Sequence, residues 1–302
     1  MSEPVDSATM LRKARGRLLV VAALALVGLL LGGCRPPDPP TGTDLVEVAG
    51  EVGGRPLVQF DLPLAITEIS TDEIVTGAGA ALEQGSTVML SYLAIDAATG
   101  EVVDDNYGEQ PRLLVLTQDQ AGALYSDLLG RTEGSRLLRL EPGSMTRPDP
   151  VVIVYDILFT RAHGTALEID PALPQVALQP DGSPVITIPD AEPPRALTIA
   201  QLIRGEGTQV QSGESVTVRF LQQAWSTGDV VESTWGEDSL PVTIPLVDRI
   251  PGLQEGLVDA AVGSQVLLVV PPDQADGTDT MVFVIDVLAV TTLSDQSEGA
   301  QQ

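Results

Sequence analysis

Histidine and cysteine each occur once in the 302 residues, at His163 and Cys34. A serine or cysteine nucleophile needs a basic partner within hydrogen-bond reach, and a thiolate or imidazole metal site needs several such ligands. One of each assembles neither, and His163, in "RAHG", is read as a linker residue. The acidic run "DQADGTD" at 273–279 lacks the ligand alternation of a calcium loop. "GAG" at 77–79 and "GEG" at 205–207 lack the third glycine and following helix of a dinucleotide fingerprint. No cofactor and no metal are therefore expected. Carboxylates such as Glu232 and a few rings such as Phe220 and Phe283 remain. With aromatics at 3% of the chain, any pocket must be built mainly from aliphatic side chains.

These residues need elements to position them. In "DRIPGLQEGLVDAAVGS", 248–264, the apolar Ile250, Leu253, Leu257, Val258 and Ala261 recur every three or four residues, the spacing of a helix. Pro251 suits its first turn and Gly263 its stop, so it has about three turns at most. Around it "SVTVRF", "DVVES", "PVTIPL", "SQVLLVV" and "TMVFVIDVLAV" are rich in β-branched residues and bounded by Gly, Pro, Asp or Ser, as strands are. An antiparallel sheet with one solvated face can cover its apolar face with one amphipathic helix.

The chain also repeats itself. Gly54/Gly182, Pro56/Pro184, Gly77/Gly205, Gly79/Gly207, Gly85/Gly213 and Gly100/Gly228 pair at a spacing of 128 residues, which drifts to 130 at Asp156/Asp286. This predicts two copies of one domain of about 110 residues. The boundaries read from the sequence are 51–162 and 181–293, with a linker at 163–180 and a disordered tail at 294–302.

In the second copy, "GEGTQVQSGESVTVRF", "GDVVES", "IPGLQEGL", "VGSQVLLVVPPDQADG" and "MVFVIDVL" follow one another in an order that resembles an FKBP-type peptidyl-prolyl isomerase domain. The first copy resembles it through "GSTVMLSY", "TGEVVDD", "EGSRLLRLEP" and "VVIVYDIL". The resemblance implies an α+β class: two tandem domains, each an antiparallel sheet of five to six strands wrapped on one short helix. It also implies a hydrophobic bowl between helix and sheet that holds a substrate proline. Carried over by position, the catalytic set is Phe220, Glu232, Ile250 and Phe283, and the substrate-binding set is Val231, Val242, Leu253 and Asp276. Leu253, Val231 and Asp276 stand where the family has a tryptophan, a phenylalanine and a tyrosine. In the first copy Tyr92 and Asp104 match, while Val103 and Ile153 replace aromatics, so that copy reads as degenerate.

The first 33 residues are a separate object. Arg12, Lys13, Arg15 and Arg17 precede an apolar run from Leu18 to Leu31, too short for a comfortable span, and "LGGC" follows. This resembles a bacterial lipobox and implies a signal peptide at 1–33, lipidation at Cys34 and a cell-membrane location on the extracytoplasmic side. The Pro-rich 34–50 would be the spacer. A net charge of −26 argues against nucleic acid. The expectation is a monomeric prolyl isomerase that acts on proline-containing polypeptide clients during folding of exported proteins, with the activity in the C-terminal domain. The alternative is a catalytically weak or inactive FKBP-like chaperone that only binds peptides.

Overall fold

The computed structural model describes residues 42–236, 239–275 and 277–291. The signal peptide, Cys34, Asp276 and the 294–302 tail lie outside the described residues. Two antiparallel sheets dominate, and the repeat is visible in their strand order. In the first half the strands are β1 (Glu47–Ala49), β2 (Leu57–Gln59), β3 (Ser70–Val75), β4 (Thr87–Asp96), β5 (Val102–Asp105), β6 (Arg112–Val115), β7 (Arg136–Glu141) and β8 (Val151–Leu158). Those of the second half are β9 (Thr165–Ala166), β10 (Gln175–Leu178), β11 (Pro184–Thr187), β12 (Thr198–Arg204), β13 (Ser215–Ala224), β14 (Val230–Ser233), β15 (Val242–Pro245), β16 (Gln265–Val270) and β17 (Met281–Thr291). The first sheet runs β3-β7-β8-β4-β5 with β6 also on β4. The second runs β12-β16-β17-β13-β14 in the same order, with β15 also on β13 and β9 added beyond β12. From Leu90 to Asp96 the registers correspond residue by residue, so that Leu93 lies opposite Val154 as Leu221 lies opposite Val284, while a bulge between Thr217 and Val218 breaks the match at one end of β13.

Side chains alternate across each sheet, and both faces are covered. On one face of the second sheet Val216, Val218, Leu268, Phe283, Ile285 and Val287 form a core with α3 (Pro251–Leu257), the one α-helix of that half among the described residues. The first half has two single turns in its place, α1 (Gln118–Ala121) and α2 (Tyr125–Leu128). The opposite face of each sheet carries a hairpin that the sequence reading missed. β1 pairs with β2 and places Val48 and Val58 on Leu138, Leu140 and Val154. β10 pairs with β11 and places Val176 and Ile186 on Leu202, Leu267 and Val284. Both hairpins belong to the repeat, because Val48/Val58 and Val176/Ile186 are cross-strand partners 128 residues apart.

Several expectations are corrected by this arrangement. The spacer read at 34–50 folds from Gly42, through a 3-10 turn at Gly42–Leu45 and then β1. The linker read at 163–180 contains β9, which extends the second sheet to seven strands, and β10. Short strands covering an already formed sheet need only two or three apolar residues, which leaves almost no period to read. The helix read at 248–264 is seven residues, because Val258 is extended and Asp259 takes a left-handed φ of 66°.

The two sheets meet through Met89, Leu158 and Leu288, which share one buried cluster. The segment between them is anchored on both sides. Thr160 donates its backbone N–H to the buried Glu133 carboxylate at 3.1 Å, and Ala162 donates its own to Asp286 at 2.7 Å. His163 is part of this junction rather than a loose linker: its ring stacks on Phe159 at 3.6 Å and its backbone N–H donates to Gly263 O at 2.8 Å. Burial there pushes its pKa down.

Candidate active site

The bowl of the second sheet follows from strand alternation and one close helix contact. Along β13 the residues Val218, Phe220 and Gln222 face the helix side; along β17 they are Met281, Phe283 and Ile285. β15 brings Val242 and Ile244 to the rim, and β14 brings Glu232. The helix lies close to the floor because two of its residues are glycines. A Cβ on Gly252 would fall 2.3 Å from Val270 Cγ1, and one on Gly256 would fall 2.7 Å from Leu268 Cδ1. Atoms cannot approach that closely, so any side chain at either position would lift the helix off the sheet. With the glycines in place, Leu253 and Ile250 pack on the same core and close one wall.

A cavity of about 430 Å³ results, of a size suited to a small side chain and its neighbours. Phe220, Glu232, Val242, Ile250, Leu253 and Phe283 all line it. Val231 does not: it sits one residue from Glu232 on the opposite side of the strand and is 54% exposed. Phe283 is buried at 3% exposure, whereas Glu232 is an exposed carboxylate at the rim. Ile250 is the residue before the first helical turn, with φ −56° and ψ 147°. Its N–H donates to no backbone carbonyl among the described residues, while its C=O accepts from Leu253 and Gln254. That leaves one backbone donor at the mouth for a ligand carbonyl. Sequence reasoning missed Val218, Gln222, Ile244, Met281 and Ile285. The period of two along β13 and β17 was the signal that could have found them.

The same location in the first sheet is filled with charge. The register that puts Leu268 opposite Phe283 puts Arg139 opposite Ile153, and the one that puts Val270 opposite Met281 puts Glu141 opposite Val151. Arg139 bonds Glu141 at 2.8 Å and also pairs with Asp127 from α2, and Glu141 bonds Arg147 at 2.7 Å. Tyr155 stands where Ile285 does; burial first, then the Glu141 charge, pushes its pKa up to about 12. Tyr92 spends its hydroxyl on Asp104 at 3.0 Å. The rim residue matching Val242 is Arg112. Ion pairs and a spent phenol are a poor host for an apolar proline ring, because their partners would have to be broken and left buried.

The profile of the FKBP-type peptidyl-prolyl cis-trans isomerases matches residues 206–286, from the turn before β13 to Asp286 in β17. A probable FK506-binding protein of Corynebacterium glutamicum is 31% identical over 115 residues, 35% of this chain and 97% of that protein. This chain belongs to the FKBP-type peptidyl-prolyl cis-trans isomerase family. An FK506-binding protein of Streptomyces anulatus is 29% identical over 119 residues, covering 35% of this chain and 96% of the relative. Among solved structures, FkpA from Escherichia coli is matched at 22% identity with a TM-score of 0.29, across 38% of this chain and 51% of that one. The FKBP profile thus falls on the sheet that carries the open bowl.

Proposed function

We propose that the bowl of the second sheet is the working prolyl isomerase site and that the first FKBP-like copy is a non-catalytic companion. The observation that carries this is the contrast between the two floors, aliphatic Leu268 and Val270 in one and the Arg139–Glu141–Asp127 network in the other. Rotation about an X-Pro bond faces a barrier of about 18–20 kcal/mol because amide resonance must be broken. A dry apolar seat for the proline ring, formed by Phe220, Leu253 and Phe283, removes the water that stabilises the planar, charge-separated amide. The Ile250 N–H and the Glu232 carboxylate orient the flanking peptide. Binding the twisted bond more tightly than either planar isomer is the whole of the catalysis.

The clients are proline-containing segments of exported polypeptides, met at the outer face of the membrane by a protein tethered through lipidated Cys34. This rests on the resemblance of residues 1–34 to a lipoprotein signal. Among the described residues no helix is long and apolar enough to cross a membrane. A second reading, peptide holding without turnover, is favoured by Leu253 and Phe220, which offer no hydrogen-bond donor to the bound peptide. The deciding experiment follows cis-to-trans relaxation of a short Leu-Pro peptide with the full chain. Acceleration supports the isomerase reading, and peptide binding without acceleration supports the second.

A further inference from the structure

Gln222 is the lining residue for which neither the fold nor the core has a use. It sits on β13 directly opposite Glu232 on β14 and Phe283 on β17, and all three line the cavity. Cross-strand neighbours in such register are within side-chain reach of one another. Its side chain is half-buried, yet its amide bonds no other described residue. Other glutamines on these strands and helices are engaged: Gln201 with Ser264, Gln223 with Gly228, Gln254 with Arg249 and Gln265 with Asp286. The remaining polar groups around the bowl cannot serve as neutral donors from its wall. Thr243 shares its hydroxyl with Thr217 at 2.8 Å, Glu232 and Asp248 only accept, and Arg249 is an exposed cation at the mouth. In the first copy the same register position, opposite Asp104 and Ile153, is Ala94.

We propose that Gln222 is a catalytic residue of this bowl, its side-chain N–H donating a hydrogen bond to the prolyl nitrogen as the peptide bond twists; this rests on the isomerase reading above. In a planar amide the nitrogen lone pair is delocalised onto the carbonyl, and the nitrogen accepts almost nothing. At the twisted geometry the lone pair is localised on a pyramidal nitrogen, which becomes an acceptor. A donor aimed there makes its bond only in the transition state, so it raises kcat and leaves KM alone. The Ile250 N–H, directed at a carbonyl oxygen, binds planar and twisted forms alike and sets orientation. No proton is transferred and no covalent bond is made or broken.

The test is the relaxation of a Leu-Pro peptide by the full chain, comparing wild type, Gln222→Met and Gln222→Glu. Methionine keeps the length and glutamate the shape; neither offers the N–H. The loss of one neutral hydrogen bond corresponds to about a fivefold drop in kcat. The expected result is that drop in both variants, with KM within about twofold of wild type and an unchanged denaturation midpoint. Wild-type kcat in Gln222→Met, or a rise in KM with kcat unchanged, overturns the assignment of Gln222 while leaving the bowl an isomerase site. A wild-type chain that gives no acceleration overturns both.

Discussion

Asp286 is buried at 2% exposure and accepts hydrogen bonds from Ala162 N at 2.7 Å and Gln265 Nε2 at 2.8 Å. Its counterpart Asp156 faces Arg136 through contacts of 2.6 and 2.7 Å, but in the second copy a glutamine replaces that arginine. With no ion pair to Asp286 among the described residues, burial pushes it up to about 6, against an ordinary 3.8, although Arg219 and Arg161 act from a distance to lower it. A carboxyl whose pKa is raised by folding contributes stability that is complete below its unfolded value and is lost as pH rises through its folded value. The full difference is about 3 kcal/mol, of which about 1 kcal/mol falls between pH 5 and pH 7.5. His163, held below its usual range by burial, titrates with the opposite sign nearby and cancels when two variants sharing it are compared. Asp286→Asn removes the titration. Urea unfolding can be followed through Trp225 and Trp235, the two tryptophans of the chain, both packed behind the second sheet. Wild type should gain about 1 kcal/mol relative to Asp286→Asn on going from pH 7.5 to pH 5. A difference between the two proteins that does not change with pH would refute the reasoning.

Phe283→Ala should cost about 3–5 kcal/mol in urea unfolding, since a ring at 3% exposure is removed from the largest cluster of the second sheet. Glu232→Gln, at an exposed rim position, should slow X-Pro relaxation while leaving the midpoint within about 0.5 kcal/mol of wild type. Arg139→Leu should destabilise the first sheet by about 3–5 kcal/mol, read by hydrogen exchange of β7 and β8, because Asp127 and Glu141 lose their shared cation. Cys34→Ser should move the protein from the carbonate-washed membrane pellet to the soluble fraction, because two acyl chains give stable anchoring.

The repeat and the strands β13 to β17 were legible because alternation and β-branched runs leave a period in the sequence. The spacing of Gly54 and Gly182 predicted a repeat, and the strand pairings from Leu90 to Asp96 and from Val218 to Ala224 correspond at that spacing. Phe220, Glu232, Ile250, Leu253 and Phe283 could be placed in one bowl by resemblance. Val231 was misplaced because a motif names a stretch, whereas alternation assigns each residue a side. The two hairpins were missed because three apolar residues on a short strand look like any loop. The charged floor of the first copy was not legible either. The stretch "RLLRLE" does not say where Arg139 and Glu141 find partners, and only the approach of Asp127 from α2 and of Arg147 from the following loop shows that they are paired. Glycine disfavours a helix interior, yet at Gly252 and Gly256 the lack of a Cβ is what lets the helix seat on Val270 and Leu268.

The central claim, that prolyl isomerisation belongs to the second bowl and not the first, is tested most directly by Val242→Arg in the full chain. This substitution imports the rim residue that the first copy carries as Arg112, at a position 37% exposed where the fold can accept it. Acceleration of Leu-Pro relaxation should be lost in Val242→Arg with the fluorescence-detected midpoint retained, and should persist in Tyr92→Phe, which alters only the first copy. A fully active Val242→Arg, or an inactive but folded Tyr92→Phe, would contradict the account.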